Sequence, residues 1–165
     1  KKKVVDGSAI KPSDKVIALA SSGLHSNGYS LVNYLLVRLK LKYAEHPELL
    51  TPTTIYAPVV KRLLEEGDWI YGMAHITGGG LVENLPRCLP EGLRIDIDWN
   101  SWTVPEIFKE IQRQGNVDEE EMRRVFNLGV GYCVVVPSNR AELTMDIIRE
   151  EGIECWEIGE VYEGN

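Results

Sequence analysis

The 165-residue chain reads as an α/β domain in which helices pack on a mixed β-sheet. Two observations carry that reading. Short apolar runs of strand length alternate with segments of helical periodicity, and two junctions between them are glycine-rich turns. Residues 1–14 form a lead-in, with Lys1, Lys2 and Lys3 as a solvated basic end, and residues 15–165 form the domain. Residues 16–20, Val-Ile-Ala-Leu-Ala, have strand length and composition; past a polar loop, Tyr29, Val32, Leu35, Leu36 and Leu39 share one helical face. Residues 43–52 are a proline-bearing connection, and residues 56–66 a helix that Gly67 stops. A strand over 69–77 feeds Gly78-Gly79-Gly80, and a short helix over 81–87 ends in the region of Pro86 and Pro90.

Leu93-Arg94-Ile95-Asp96-Ile97-Asp98 alternates strictly, which predicts a half-buried strand with Asp96 and Asp98 together on its solvated face; the alternative is a pair that binds magnesium. Residues 104–114 are helical, with Pro105 in the first turn and Gly115 beyond the end. A further short helix over 118–126 opens on Asp118-Glu119-Glu120-Glu121, where negative charge meets the positive end of the helix dipole, so the run is not read as a metal site. A buried strand over 130–137, a helix over 140–150 and a strand over 155–162 complete the pattern.

Composition narrows the function classes. Hydrophobic residues make up 44% of the chain, enough for a sizeable core. Eighteen basic against 25 acidic residues give a net charge of −7 with the basic residues scattered, which argues against a nucleic-acid partner. The basic start lacks a following apolar segment, and no apolar stretch reaches membrane-spanning length, so neither a secretory signal nor a membrane partner is expected. Cys88, Cys133 and Cys155 are far apart and form no C-x-x-C pair, so neither a zinc site nor a disulfide framework is expected. Cys133 reads as a small core residue, and the cysteine usage fits a reducing, cytoplasmic setting.

The chemistry concentrates in Ser21-Ser22-Gly23-Leu24-His25-Ser26-Asn27-Gly28-Tyr29-Ser30-Leu31, a strand-loop-helix junction. The first N–H groups of such a helix lack intrahelical partners and carry partial positive charge, so they bind an anion without a basic side chain. Gly23 and Gly28 have the G-x-x-x-x-G frame of a P-loop, but Tyr29-Ser30 stand where that motif has Lys-Ser/Thr. A phosphate monoester fits this loop better than a triphosphate. Gly78-Gly79-Gly80 makes a second junction; its dinucleotide fingerprint fails because Glu83 stands at the third glycine position.

Ser26, Asn27 and Gly28 are therefore candidate phosphate or ribose contacts, with Thr77, Gly78, Gly79 and Gly80 as a second wall. Asn127 and Gly129 approach the same cleft or simply turn the chain into the next strand. His25 is the candidate catalytic residue, as a proton carrier or phosphate donor; the alternative is a histidine that fixes the loop. His75 is expected in a structural hydrogen bond, His46 at the surface, and Pro52 and Tyr56 in architectural roles. No metal ligand is assigned.

These segments occur together with Leu50-Thr51-Pro52-Thr53-Thr54-Ile55-Tyr56, His75-Ile76-Thr77, Asn84-Leu85-Pro86-Arg87, Leu89-Pro90 and Phe126-Asn127-Leu128-Gly129-Val130-Gly131. In order and approximate spacing they resemble the phosphoribosylformylglycinamidine cyclo-ligases, also called aminoimidazole ribonucleotide synthetases. The resemblance spans nearly the whole chain but only the C-terminal half of that enzyme. It implies the C-terminal α/β domain of that superfamily and an ATP-dependent ligation in purine synthesis. There, the formyl amide oxygen of formylglycinamidine ribonucleotide is activated, a nitrogen closes the imidazole ring, and aminoimidazole ribonucleotide, ADP and phosphate result.

The resemblance further implies that ATP and Mg2+ sit mainly on an N-terminal half absent from this sequence, that the domain alone is inactive, and that the complete enzyme is a homodimer. The start Lys1-Lys2-Lys3-Val4-Val5-Asp6-Gly7, without Met, resembles the segment leading into that domain and is expected of a fragment or processed product. Tyr132 departs from the family, which often has Met after G-V-G, and is expected to alter packing only. The alternatives are thiamine-phosphate kinase, selenophosphate synthetase or hydrogenase-maturation relatives, and a noncatalytic phosphate-binding or dimerisation module.

Overall fold

A strand whose central residues are all apolar must be covered on both faces. Val16, Ile17, Ala18 and Leu19 have no exposed surface in the computed structural model, which describes residues 4–164. They belong to β1 (Lys15–Ala20), the middle strand of a five-stranded sheet. The other strands are β2 (Gly72–His75), β3 (Leu93–Ile97), β4 (Val130–Val136) and β5 (Cys155–Glu163), in the order β2-β4-β1-β5-β3. The basic end expected at Lys1 to Lys3 lies outside the described residues.

The α/β class stands, with helices packed on a sheet, but the mixed strand directions do not. All four pairings are antiparallel. The cause is the order of insertion: β1, β2 and β3 run one way without touching, and β4 and β5 return between them. Alternating helices and strands permit parallel neighbours but do not dictate which strands become neighbours.

Because side chains alternate across each strand, the sheet supports two separate cores. On one face Ile17, Leu19, Val134 and Val136 meet Val59 and Leu63 of α2 (Ala57–Glu66) and Met145 and Ile148 of α6 (Ala141–Glu150). On the other, Val16, Ala18, Cys133, Val135 and Ile158 meet Trp102 and Leu81 and Leu85 of the segment after β2. The thiol of Cys133 is fully buried there, as expected, and burial pushes its pKa up. All three cysteines are free.

A third cluster joins the remaining helices. Val32, Leu35 and Leu36 of α1 (Tyr29–Leu39) pack with Phe108 and Ile111 of α4 (Glu106–Gly115), and with Met122 of α5 (Glu119–Val125) and Phe126 after it. The expected acidic start of α5 is an N-cap: Asp118 Oδ1 accepts from the Glu121 N–H at 2.8 Å. On β3, Asp96 is exposed and paired with Arg94, and the Asp98 carboxylate accepts from the Asn100 N–H.

Two boundaries differ from the sequence reading. The strand expected over 69–77 is paired only over Gly72–His75. The helix expected over 81–87 divides into α3 (Gly80–Asn84) and a 3-10 turn, Leu85–Cys88. Pro86 lacks the N–H that would continue the α-helical ladder, and the chain tightens there.

Candidate functional site

β1 and β2 run in the same direction, so the loops that follow them emerge at the same end of the sheet. The first, residues 21–28, is tied down by buried groups. Ser21 N–H donates to Gly129 O at 2.9 Å, Ser21 Oγ donates to Asn127 Oδ1 at 3.0 Å, and Asn127 Nδ2 donates to Gly23 O at 2.8 Å. Asn127 Oδ1 also accepts from the Gly129 N–H at 2.9 Å, and the residue has no exposed surface. Asn127 and Gly129 therefore lie beneath the loop, with the amide of Asn127 committed to backbone and Ser21.

His25 is also inside, 5% exposed. Its Nε2 accepts from the Ser22 N–H at 3.1 Å and, more weakly, from the Thr54 N–H at 3.4 Å. Two N–H donors on one nitrogen require a lone pair there, so the ring is the neutral Nδ1–H tautomer. Burial, with a smaller contribution from His75, lowers its pKa. Tyr56, at the start of α2, donates its hydroxyl to Ala20 O at 2.6 Å and stands 6.1 Å from the His25 ring, an architectural place as expected. His75 lies exposed with its ring 5.9 Å from Tyr132, stacking where a hydrogen bond was expected.

The second loop is shaped from within by Asn84. Its Nδ2 reaches three carbonyls, at 2.7 Å for Gly80, 3.2 Å for Gly78 and 3.4 Å for Thr77, while Thr77 Oγ1 donates to its Oδ1 at 3.4 Å. From the sequence, Asn84 stands out only as part of the Asn84-Leu85-Pro86-Arg87 segment. The available signal was its place one turn beyond the triple glycine, where a side chain folds back over the preceding turn.

The glycines serve different needs. Gly28 has φ +81°, and a Cβ there would lie 2.1 Å from the Phe126 ring. Gly79 and Gly80 have φ of +94° and +59°, and a Cβ on Gly80 would lie 2.0 Å from the Arg123 carbonyl oxygen. Gly78 alone of the three has neither feature; the nearest atom to its Cβ position is Asn27 Oδ1, at 3.6 Å. The two loops thus meet at Asn27 and Gly78.

Around that meeting point Ser26 and Gly78 are exposed, Asn27, Gly28, Thr77 and Gly79 half-buried, and Gly80 buried. The rim opens on the N-terminus of α1, whose cap residue Gly28 supplies no side chain. Residues 21–31 include no lysine, arginine or carboxylate, so this loop offers neutral donors suited to an anion, whereas on the second loop the Glu83 carboxylate lies 2.5 Å from the Cβ position of Gly79. Two hollows lie elsewhere: about 520 Å³ between residues 4–9 and α2, and about 570 Å³ beside β3. The loop pair is an open rim.

Sequence comparison gives the chain a family. The family described as AIR synthase related protein, C-terminal domain, matches residues 11–165. The chain belongs to that family. Within it, the phosphoribosylformylglycinamidine cyclo-ligase of Pseudothermotoga lettingae is 51% identical over 99% of this chain. The alignment covers 50% of that relative, so this AIR synthase related domain spans about half the length of the curated relative it matches.

Solved structures show the same fold at low identity. Thiamine-monophosphate kinase from Stenotrophomonas maltophilia superposes with a TM-score of 0.69 at 14% identity, over 98% of this chain and 51% of its own. Hydrogenase maturation protein HypE, solved in complex with ATP, gives 0.66 at 22% identity, over 95% of this chain and 44% of its own. Among the described residues, no helix of this AIR synthase related domain is long and apolar enough to cross a membrane.

Proposed function

We propose that this chain is the substrate-side half of an ATP-dependent cyclo-ligase, which converts formylglycinamidine ribonucleotide to aminoimidazole ribonucleotide with release of ADP and phosphate. The observation that carries the reading is the meeting of Asn27 and Gly78 at an uncharged helix N-terminus, in a chain 51% identical to a relative of that name. The substrate phosphate is held by Ser26 Oγ, the Asn27 amide and the free N–H groups beginning at Gly28, with Thr77 and Gly78 to Gly80 as the opposite wall. Asn127 and Gly129 support the loop from below, and His25 serves by positioning it.

Tyr29-Ser30 stand where a P-loop has its lysine and Ser/Thr, so the 21–28 loop suits a phosphate monoester better than a triphosphate. ATP and Mg2+ are accordingly assigned mainly to the half of the relatives that this chain does not span. ATP supplies the phosphoryl group that makes the formyl oxygen a leaving group. This domain contributes orientation: anchoring the phosphate fixes the ribose and the formylglycinamidine arm relative to the other half. The complete protein is read as a cytoplasmic homodimer.

The first test is ATP-dependent formation of aminoimidazole ribonucleotide by this chain alone and with a matching N-terminal half added. Turnover only after addition supports the reading. Turnover by this chain alone overturns the assignment of ATP, and silence from two folded, assembled halves overturns the reaction.

A second test uses Gly78, because ordinary φ and open surroundings leave room there for a side chain. Gly78→Val should leave the thermal midpoint within about 2 °C of the parent, a change of ~0.5 kcal/mol for a surface position. In the complete protein it should raise KM for the ribonucleotide at least tenfold, which corresponds to ~1.4 kcal/mol of lost binding. An unchanged KM would remove the second loop from the site.

A further inference from the structure

The segments that His25 joins are distant in sequence. Ser22 lies in the glycine loop and Thr54 in the connection leading to α2, yet both N–H groups converge on one ring nitrogen. We propose that His25 is a positioning residue, a neutral imidazole pin between the 21–28 loop and the 51–56 connection, and that protonating the ring releases the pin. This rests on the proposed function only for what the loop binds; the pin is testable without substrate.

The geometry leaves a proton no accommodating place. Protonation puts an N–H on Nε2 directly against two N–H donors and leaves both amides without their acceptor. Nδ1 is buried and has no hydrogen-bond partner among the described residues, so the ring is already short of one acceptor in its neutral form. His25 is itself held in the left-handed region at φ +56°, a conformation that persists only while neighbours impose it. Gly131 makes the fit possible: a Cβ there would lie 2.6 Å from His25 Cε1 and 2.1 Å from the Tyr56 hydroxyl oxygen.

The titratable groups around the ring are His75 from β2, Tyr56 from the start of α2 and, beyond Tyr56, Tyr132 of β4. Burial raises the pKa of both phenols, so they remain neutral through the acid range, and a charged His75 opposes a charge on His25. In the folded chain the ring therefore takes its proton at lower pH than in the unfolded chain, where the midpoint is about 6.5. Below about pH 6.5 the unfolded state binds more protons at this site, so folding stability falls as pH falls through that value.

The experiment is a pH titration of the 15N-labelled chain by NMR, following the imidazole nitrogens of His25 with the amides of Ser22 and Thr54. At neutral pH, Nε2 is expected bare and Nδ1 protonated. On acidification both amides should shift with the midpoint of the ring, below 6.5. A protonated Nε2 at neutral pH, or amides that ignore the titration of the ring, would overturn the proposal.

His25→Gln supplies a control, since its amide oxygen accepts from the same N–H groups and does not titrate. In that variant the Ser22 and Thr54 amides should hold their positions across the same pH range. Should the variant not fold, the titration of the parent chain still decides. None of these readouts depends on turnover, so failure of the pin and failure of the cyclo-ligase reading are separate results.

Discussion

Gly80→Ala should lower the thermal midpoint of this domain by roughly 10 °C, the largest effect expected of any single methyl group added to the loops. Two costs combine. Left-handed backbone costs a residue with a Cβ ~1–2 kcal/mol, and forcing an atom into filled space costs about 1–3 kcal/mol more. A domain of this size loses roughly 2–4 °C per kcal/mol. The overlap is with backbone, the Arg123 carbonyl oxygen at 2.0 Å and the Phe126 carbonyl oxygen at 2.9 Å, so no side-chain rotation relieves it.

Gly152→Ala separates the two costs. Gly152 has φ +76° with nothing within 4 Å of its Cβ position, so that substitution carries the backbone cost alone. Scanning calorimetry of both variants is decisive. Equal losses would mean that α3 and the C-terminal end of α5 are not held in the close approach described.

Asn127→Ala should be nearly as damaging, by ~2–4 kcal/mol in urea denaturation, because it strands three polar groups at once. Gly23 O loses its donor, and the Gly129 N–H and the Ser21 hydroxyl lose their acceptor, at a residue with no exposed surface. The loss should appear locally as well, as faster hydrogen exchange at the Gly129 amide. Asn127→Asp keeps an acceptor for Gly129 and Ser21 but faces Gly23 O with a carboxylate, so it should rescue little. Full stability of the alanine variant would show that the loop is held by backbone alone.

The sequence was most legible where local chemistry decides. Periodicity located α1, α2, α4 and α6, and the acidic start of α5 declared its own cap at Asp118. The two loops were legible as a pair, and they do meet at Asn27 and Gly78. The reason for each glycine was not legible. Gly28 and Gly80 read as ligand contacts, and nothing in the sequence shows that Phe126 and the end of α5 fill the space where their side chains would stand. That approach links residues some forty to a hundred positions apart in the chain and leaves no local pattern.

The same limit governs Asn127, Asn84 and His25. Each is a polar residue whose partners are backbone groups, and backbone groups are the same in every sequence. The strand directions failed for a related reason, because neighbours in a sheet are chosen by how the whole chain closes.

That closure has a consequence for synthesis. By the time residue 129 has been made, three strands exist that pair with none of one another, because each waits for a partner from residues 130–163. A nascent chain therefore carries β1, with its apolar faces and both edges open, until β4 and β5 leave the ribosome, an interval of a few seconds at ~5–20 residues per second. Partial translation products of this domain are thus the form most exposed to aggregation, and shielding by a holdase has its greatest effect before the final strand arrives.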